Sequence, residues 1–279
     1  MKQTLSFSAL VAGLLVLMAT ACGSKKDTQA DALFQQTVEA YNAQDYATAQ
    51  ELIDSLHRTY VTRVDLRRSA DTIAWRMDLL NIKQQSPVND SLLEARCAEA
   101  EVMAKNFKYE KDEQYQDLGI YEHTRLATTN NTSRSYLHAS TDEHGKFSLM
   151  AQYVGKPINF RAVVVEFDKA RLETETVDES SCNVFSRDGG SNCETVLFDA
   201  EMMNNLPAVV ADNCTKETKL TVVYKGDTDY SYTMSSADLQ AFIETYRLSQ
   251  LLKEIHELQV RKDNNAKRLV LLQERLQEL

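Results

Sequence analysis

The sequence predicts an α+β protein: helices toward the N-terminus, a central antiparallel β-sandwich-like domain, and a long C-terminal helix. Three observations point there. First, the 279 residues include only 8 Gly and 3 Pro, about 4% together, against roughly 12% in an average protein. Positions 28–118 contain one such breaker, Pro87, and positions 227–279 contain none. Gly and Pro end helices and make tight turns, so runs without them favour long helices. Second, between 120 and 234 apolar residues alternate with polar ones, the period of a half-buried strand. Third, the final 32 residues repeat Leu or Ile at heptad spacing. With 43% hydrophobic and 26% charged residues, collagen-like, linker-like and Pro-rich low-complexity classes are excluded.

The N-terminus reads as an address. Lys2 precedes an apolar run, Leu10 to Met18, that is too short to span a bilayer, and Ala19-Thr20-Ala21-Cys22 follows it. This is the layout of an export signal rather than a transmembrane helix. Small residues directly before a cysteine resemble the lipobox of bacterial lipoproteins, with Ala19 where the family usually carries Leu. Ala19-Thr20-Ala21 also satisfies the ordinary secretory rule at the same bond. The resemblance implies cleavage before Cys22 and acylation of Cys22 by two or three chains of the palmitate class, which would anchor the protein in the membrane. Gly23 in place of the Asp that retains enteric lipoproteins in the inner membrane implies the outer membrane of a Gram-negative envelope, with the membrane face left open. The expected segments are a signal peptide at 1–21, a lipid-anchored tether at 22–30, a helical region at 31–118, a β domain at 119–234 and the C-terminal helix at 235–279.

Within 31–60, Leu33, Val38, Tyr41, Leu52, Ile53 and Leu56 recur at helical spacing. The intervening segment resembles the turn of a single tetratricopeptide repeat, through Tyr46 and Ala49. No second copy follows, and roughly three are needed for a stable solenoid, so one helical hairpin is expected rather than a peptide groove. A third helix spans 64–83, with Leu66, Ala70, Ile73, Met77 and Leu80 on one face and Trp75 off it. Ser86-Pro87 should stop it. Ser91 and Glu94 then form a capping-box pattern for a fourth helix presenting Leu93, Cys97, Ala100, Ala104 and Phe107.

The β reading begins near 119. Phe147, Leu149, Ala151 and Tyr153 alternate after the Asp142-Glu143-His144-Gly145 turn, and Gly155-Lys156-Pro157 turns the chain into a strand over 158–167. Ala162 to Val165 is apolar on both faces, as in a central strand. The stretches 220–224 and 230–234, joined through Gly226-Asp227, form the clearest hairpin. Ser235 and Ser236 cap the last helix. Its heptad places from 248 to 279 hold Leu or Ile at eight of ten positions, interrupted by Lys262 and Asn265. Two destinations for this stripe stay open: self-association as a coiled coil, or packing on the protein's own helices. Asp263-Asn264-Asn265 is a candidate bend.

Chemistry is less legible. With 31 Lys and Arg against 41 Asp and Glu, the net charge is −10 and no basic patch stands out, so nucleic acid is not an expected partner. Beyond Cys22 the cysteines are Cys97, Cys182, Cys193 and Cys214, with no C-x-x-C spacing. Cys182 and Cys193 flank a turn and form the expected disulfide clip, while Cys97 reads as a buried free thiol. No nucleophile-elbow, P-loop, dinucleotide-fold or zincin motif occurs, so no catalytic residue and no cofactor are named. His123, His138 and His144 read as turn residues, not metal ligands, and 108–113 as a solvated helix end. Tyr230 and Tyr232 share one strand face; exposed, they could stack on sugar or peptide, and packed, they would meet Tyr224 or Val222.

The expectation is therefore a non-enzymatic interaction or scaffold lipoprotein of the cell envelope, meeting other envelope proteins or a second copy through its C-terminal helix. The alternative is a glycan- or peptide-binding module using Tyr230 and Tyr232.

Overall fold

The structure, a computed structural model, describes residues 8–131, 133–178, 183–188 and 191–278. It is α+β as expected, and it divides into two compact units: Met1–Val88 with Asp263–Leu279, and Asn89–Lys262. Among the described residues no helix is long and apolar enough to cross a membrane.

The first unit is helical. Helix α1 (Ser8–Asn42) and α2 (Tyr46–Thr59) form a hairpin whose turn includes Gln44 at φ 61°. Asp45 caps α2 by accepting from the Thr48 amide at 3.2 Å. Ala49, fully buried, packs with Ile53 and Leu56 against Ala70, Ile73 and Met77 of α3 (Val64–Met103), with Tyr41 and Tyr46 alongside. Arg63 ties the base of α3 to α1 through Asp31 at 2.8 Å and to its own helix through Asp65 at 2.9 Å. Trp75, off the apolar stripe of α3, carries the Arg275 guanidinium 5.3 Å above its ring.

Helix α3 corrects one expectation, because it runs through Pro87 without stopping. A proline interrupts the hydrogen-bond ladder at a cost of about 3 kcal/mol, and packing of the helix on either side offsets this. Ser86 Oγ donates to the Ile82 carbonyl at 2.7 Å, adding a local bond beside the interruption. The sequence's two break signals do mark something: the units divide just after Val88 and again at Asp263.

Among the described residues the second unit holds ten strands in two antiparallel sheets. The larger has the order β1 (Phe107–Glu110), β2 (Ile120–His123), β3 (Tyr136–Asp142), β4 (Phe147–Val154), β8 (Ser191–Phe198), β7 (Asn183–Asp188). The smaller has the order β10 (Tyr230–Thr233), β9 (Thr221–Lys225), β5 (Ala162–Phe167), β6 (Ala170–Glu173). They share one core: Leu137, Ala139 and Leu149 from the first sheet meet Val163, Val165 and Val222 from the second. Helix α4 (Leu206–Asn213) and the start of α5 (Ser236–Gln277) close it with Leu206, Val210, Leu239 and Phe242. The strand that is apolar on both faces, β5, is central and buried as expected.

Two elements differ from the sequence reading. The stretch taken for a solvated helix end contains β1, which pairs with β2 from Phe107↔His123 to Glu110↔Ile120. The β region also includes α4, which starts with Leu206-Pro207, a proline position that costs no hydrogen bond.

Helix α5 is one helix from Ser236 to Gln277 and includes residues 263–265. Within the second unit its heptad residues Leu248 and Leu251, with Leu252, pack on Ala100 and Phe107. Leu258 is buried there too, and Leu272 is buried in the first unit. The apolar seam is thus spent largely inside one chain. Lys262 is an exposed surface partner of Asp90 at 2.9 Å rather than a polar residue set in a coiled-coil core.

Candidate functional site

Of the residues singled out by sequence, Tyr230 and Tyr232 face inward. β10 pairs with β9 so that Tyr230 lies opposite Tyr224 and Tyr232 opposite Val222, and both tyrosines pack on the shared core. Tyr230 sits 4.8 Å from the Tyr153 ring, and Tyr232 meets the Tyr224 ring edge-on at 5.9 Å. Burial holds the Tyr232 and Tyr224 hydroxyls above the ordinary tyrosine range. The Tyr230 and Tyr232 rings are partly buried and pack on this core. The alternation that put both tyrosines on one face could not reveal that a second sheet covers it.

Of the two cysteines in the expected disulfide clip, Cys193 alone falls among the described residues. Cys193 carries a free thiol, 3.7 Å from Thr195 Oγ1, and Ser186 occupies the facing position in the β7–β8 ladder. Cys182 lies outside the described residues. Cys97 is free and half-buried; Cys214 is free and buried, and burial pushes its thiol up to about 11. Cys22 falls within α1.

The histidines are structural in two cases. His138 is buried: its Nδ1 meets the Leu126 carbonyl at 2.8 Å and its Nε2 meets Glu122 at 3.3 Å. That bond holds the Glu122 carboxyl below its ordinary range. His123 Nε2 lies 3.1 Å from Glu244, which ties β2 to α5. Among the described residues no group of three His, Cys, Asp or Glu side chains could hold a metal ion.

His144 leads somewhere else. It sits in the β3–β4 turn, where Asp142 Oδ1 accepts from the His144 amide at 2.9 Å and the Lys146 amide at 2.8 Å. Gly145 follows at φ +80°, directly on α5: a Cβ there would lie 2.2 Å from the Ser249 carbonyl oxygen and 2.4 Å from the Lys253 nitrogen. Only glycine permits both the φ and the approach. From the other side, Tyr109 Oη donates to Glu143 at 2.6 Å, holding the Glu143 carboxyl below its ordinary range and pushing the phenol up to about 12. Phe147 then packs edge-on between Phe242 and Tyr246, each 5.7 Å away.

The docked turn makes one wall of a cleft of about 530 Å³, completed by the 200–208 segment and α5. Phe147, Met203, Pro207, Ala208 and Tyr246 give it an apolar floor; His144, Lys146, Asn205, Gln250, Lys253 and His256 give it a polar rim, with Glu257 the acidic member. The His144 and His256 rings stack, with centroids 3.7 Å apart and planes 22° from parallel. An apolar pocket with a few convergent polar groups on a rigid frame has the anatomy of a small-molecule site. The turn contributes backbone rigidity to this cleft and the helix contributes long polar side chains.

Sequence reasoning missed this cleft because its parts are scattered. His144 and His256 are more than a hundred residues apart, and neither has a neighbour at a recognisable spacing. The available hint was Gly145 itself, a glycine in a turn preceding a long helix that had to pack somewhere. Comparison with known proteins finds no matching family model, no matching curated protein and no matching solved structure.

Proposed function

We propose that the chain is an outer-membrane lipoprotein of a Gram-negative cell envelope, anchored through Cys22, whose second unit is a non-enzymatic binding module. The observation that carries the binding part is the cleft: 530 Å³, an apolar floor and a polar rim, set on a turn locked to α5 by Gly145. Ligand capture there is better supported than assembly through the C-terminal seam, because Leu248, Leu251, Leu258 and Leu272 are already buried within the chain. It is better supported than capture on Tyr230 and Tyr232, whose rings pack on the core.

Native mass spectrometry of the protein, gently extracted from its own membrane, tests this. Wild type should carry an additional bound mass, Ala208→Trp should lose it by filling the cleft, and Tyr230→Phe with Tyr232→Phe should retain it. Absence of a bound mass in wild type, or its survival in Ala208→Trp, contradicts the proposal.

A further inference from the structure

The chemistry of the rim narrows the ligand. The chain as a whole is acidic, with 41 Asp and Glu against 31 Lys and Arg. The cleft reverses that balance: two lysines and two imidazoles line it against one carboxylate, Glu257. Lys253 has no ion-pair partner among the described residues, and Lys146 Nζ reaches Asp199 only at 4.0 Å, with both side chains more than half exposed. Ion pairs that loose contribute little and leave the ammonium groups free to turn toward a ligand.

The imidazole stack adds direction. In rings stacked nearly parallel at 3.7 Å the nitrogen lone pairs lie in two nearly parallel planes, so they do not converge on one point as metal ligation requires. Each imidazole instead adds N–H donor capacity to the rim, beside the two lysines, for an oxygen-rich group with several acceptor atoms. Behind this rim lie Phe147, Met203, Pro207 and Tyr246, which offer nothing to a small hydrated anion and a good deal to an apolar body.

We propose that the cleft binds an anionic amphiphile: a phosphate- or carboxylate-type head group at His144, Lys146, Lys253 and His256, with an attached apolar portion on the floor. The inference rests on the reading of the cleft as a ligand site and adds the charge and shape of the ligand. Such a head group belongs equally to a free amphiphile and to a bilayer lipid.

The test uses the full mature chain with Cys22→Ser, which removes the acylation position alone. The probes are octyl phosphate, octyl glucoside and inorganic phosphate, each below any micelle threshold, followed by NMR of the His144 and His256 ring signals and by calorimetry. Octyl phosphate should shift both rings and bind about tenfold more tightly than either octyl glucoside or inorganic phosphate. Lys146→Gln with Lys253→Gln should remove that advantage and leave octyl glucoside binding unchanged. Phosphatidylglycerol and phosphatidylcholine vesicles then separate the sources: selective co-sedimentation with phosphatidylglycerol assigns the head group to a bilayer lipid, and binding of octyl phosphate alone assigns it to a free amphiphile. Equal binding of octyl glucoside and octyl phosphate, insensitive to the lysine variants, overturns the anionic inference and leaves the cleft a ligand site. If neither octyl probe shifts the rings, the cleft reading falls with it.

Discussion

Asp238→Ala is expected to destabilise the second unit by about 3 kcal/mol, the low end for breaking a buried ion pair by removing one partner. The Asp238 side chain is only 5% exposed and accepts from Arg125 Nε at 2.8 Å and from Arg134 Nη1 at 2.6 Å and Nη2 at 3.1 Å. It also occupies the first turn of α5, where its amide donates to the capping Ser235 hydroxyl at 3.1 Å and its charge complements the helix dipole. The network therefore ties the first turn of α5 to Arg125 and Arg134. Removing the carboxylate leaves two guanidiniums without their acceptor. Arg125 is half exposed and can turn to water, which keeps the cost at the low end.

The pH dependence has a definite sign. Burial alone would raise the Asp238 carboxyl, but hydrogen bonds from Arg134, Ser235 and Arg125 outweigh it and hold the group below its ordinary value. A depressed folded value contributes stability that is fully present above the unfolded value, about pH 4, and is lost as pH falls through the folded one. Urea melts between pH 3 and 7 should show the gap between wild type and Asp238→Ala closing below about pH 4. Parallel curves over the whole range would count against the network.

Cys22→Ser is the second large effect. At about 0.8 kcal/mol per buried CH₂, two or three acyl chains hold a protein in a membrane almost irreversibly. No described helix is long and apolar enough to replace them. The substituted protein should lose palmitate label and move from the membrane to the soluble fraction of the envelope while keeping its fold. Label or membrane residence surviving the substitution would refute the anchor.

The class of fold was legible because its signals are local. The scarcity of breakers over 28–118 and their absence from 227 onward mark the helical ends, and the all-apolar Ala162 to Val165 marks a central strand. What escaped depends on tertiary context. Pro87 carries a helix-breaking residue type, yet packing on both sides carries α3 through it. The inward face of Tyr230 and Tyr232 depends on a second sheet that β10 alone does not announce. The cleft was the least legible feature, since a turn and a helix far apart in sequence each supply half of its rim.

The most direct test of ligand capture at the cleft is hydrogen exchange on the protein with its co-purified ligand and after the ligand has been stripped. Protection on loading should concentrate in the β3–β4 turn, residues 142–147, and in the adjoining part of α5, residues 246–257. Protection confined to Tyr230–Thr233, or to residues 266–277, would contradict it and return the function to the tyrosine face or to the C-terminal helix.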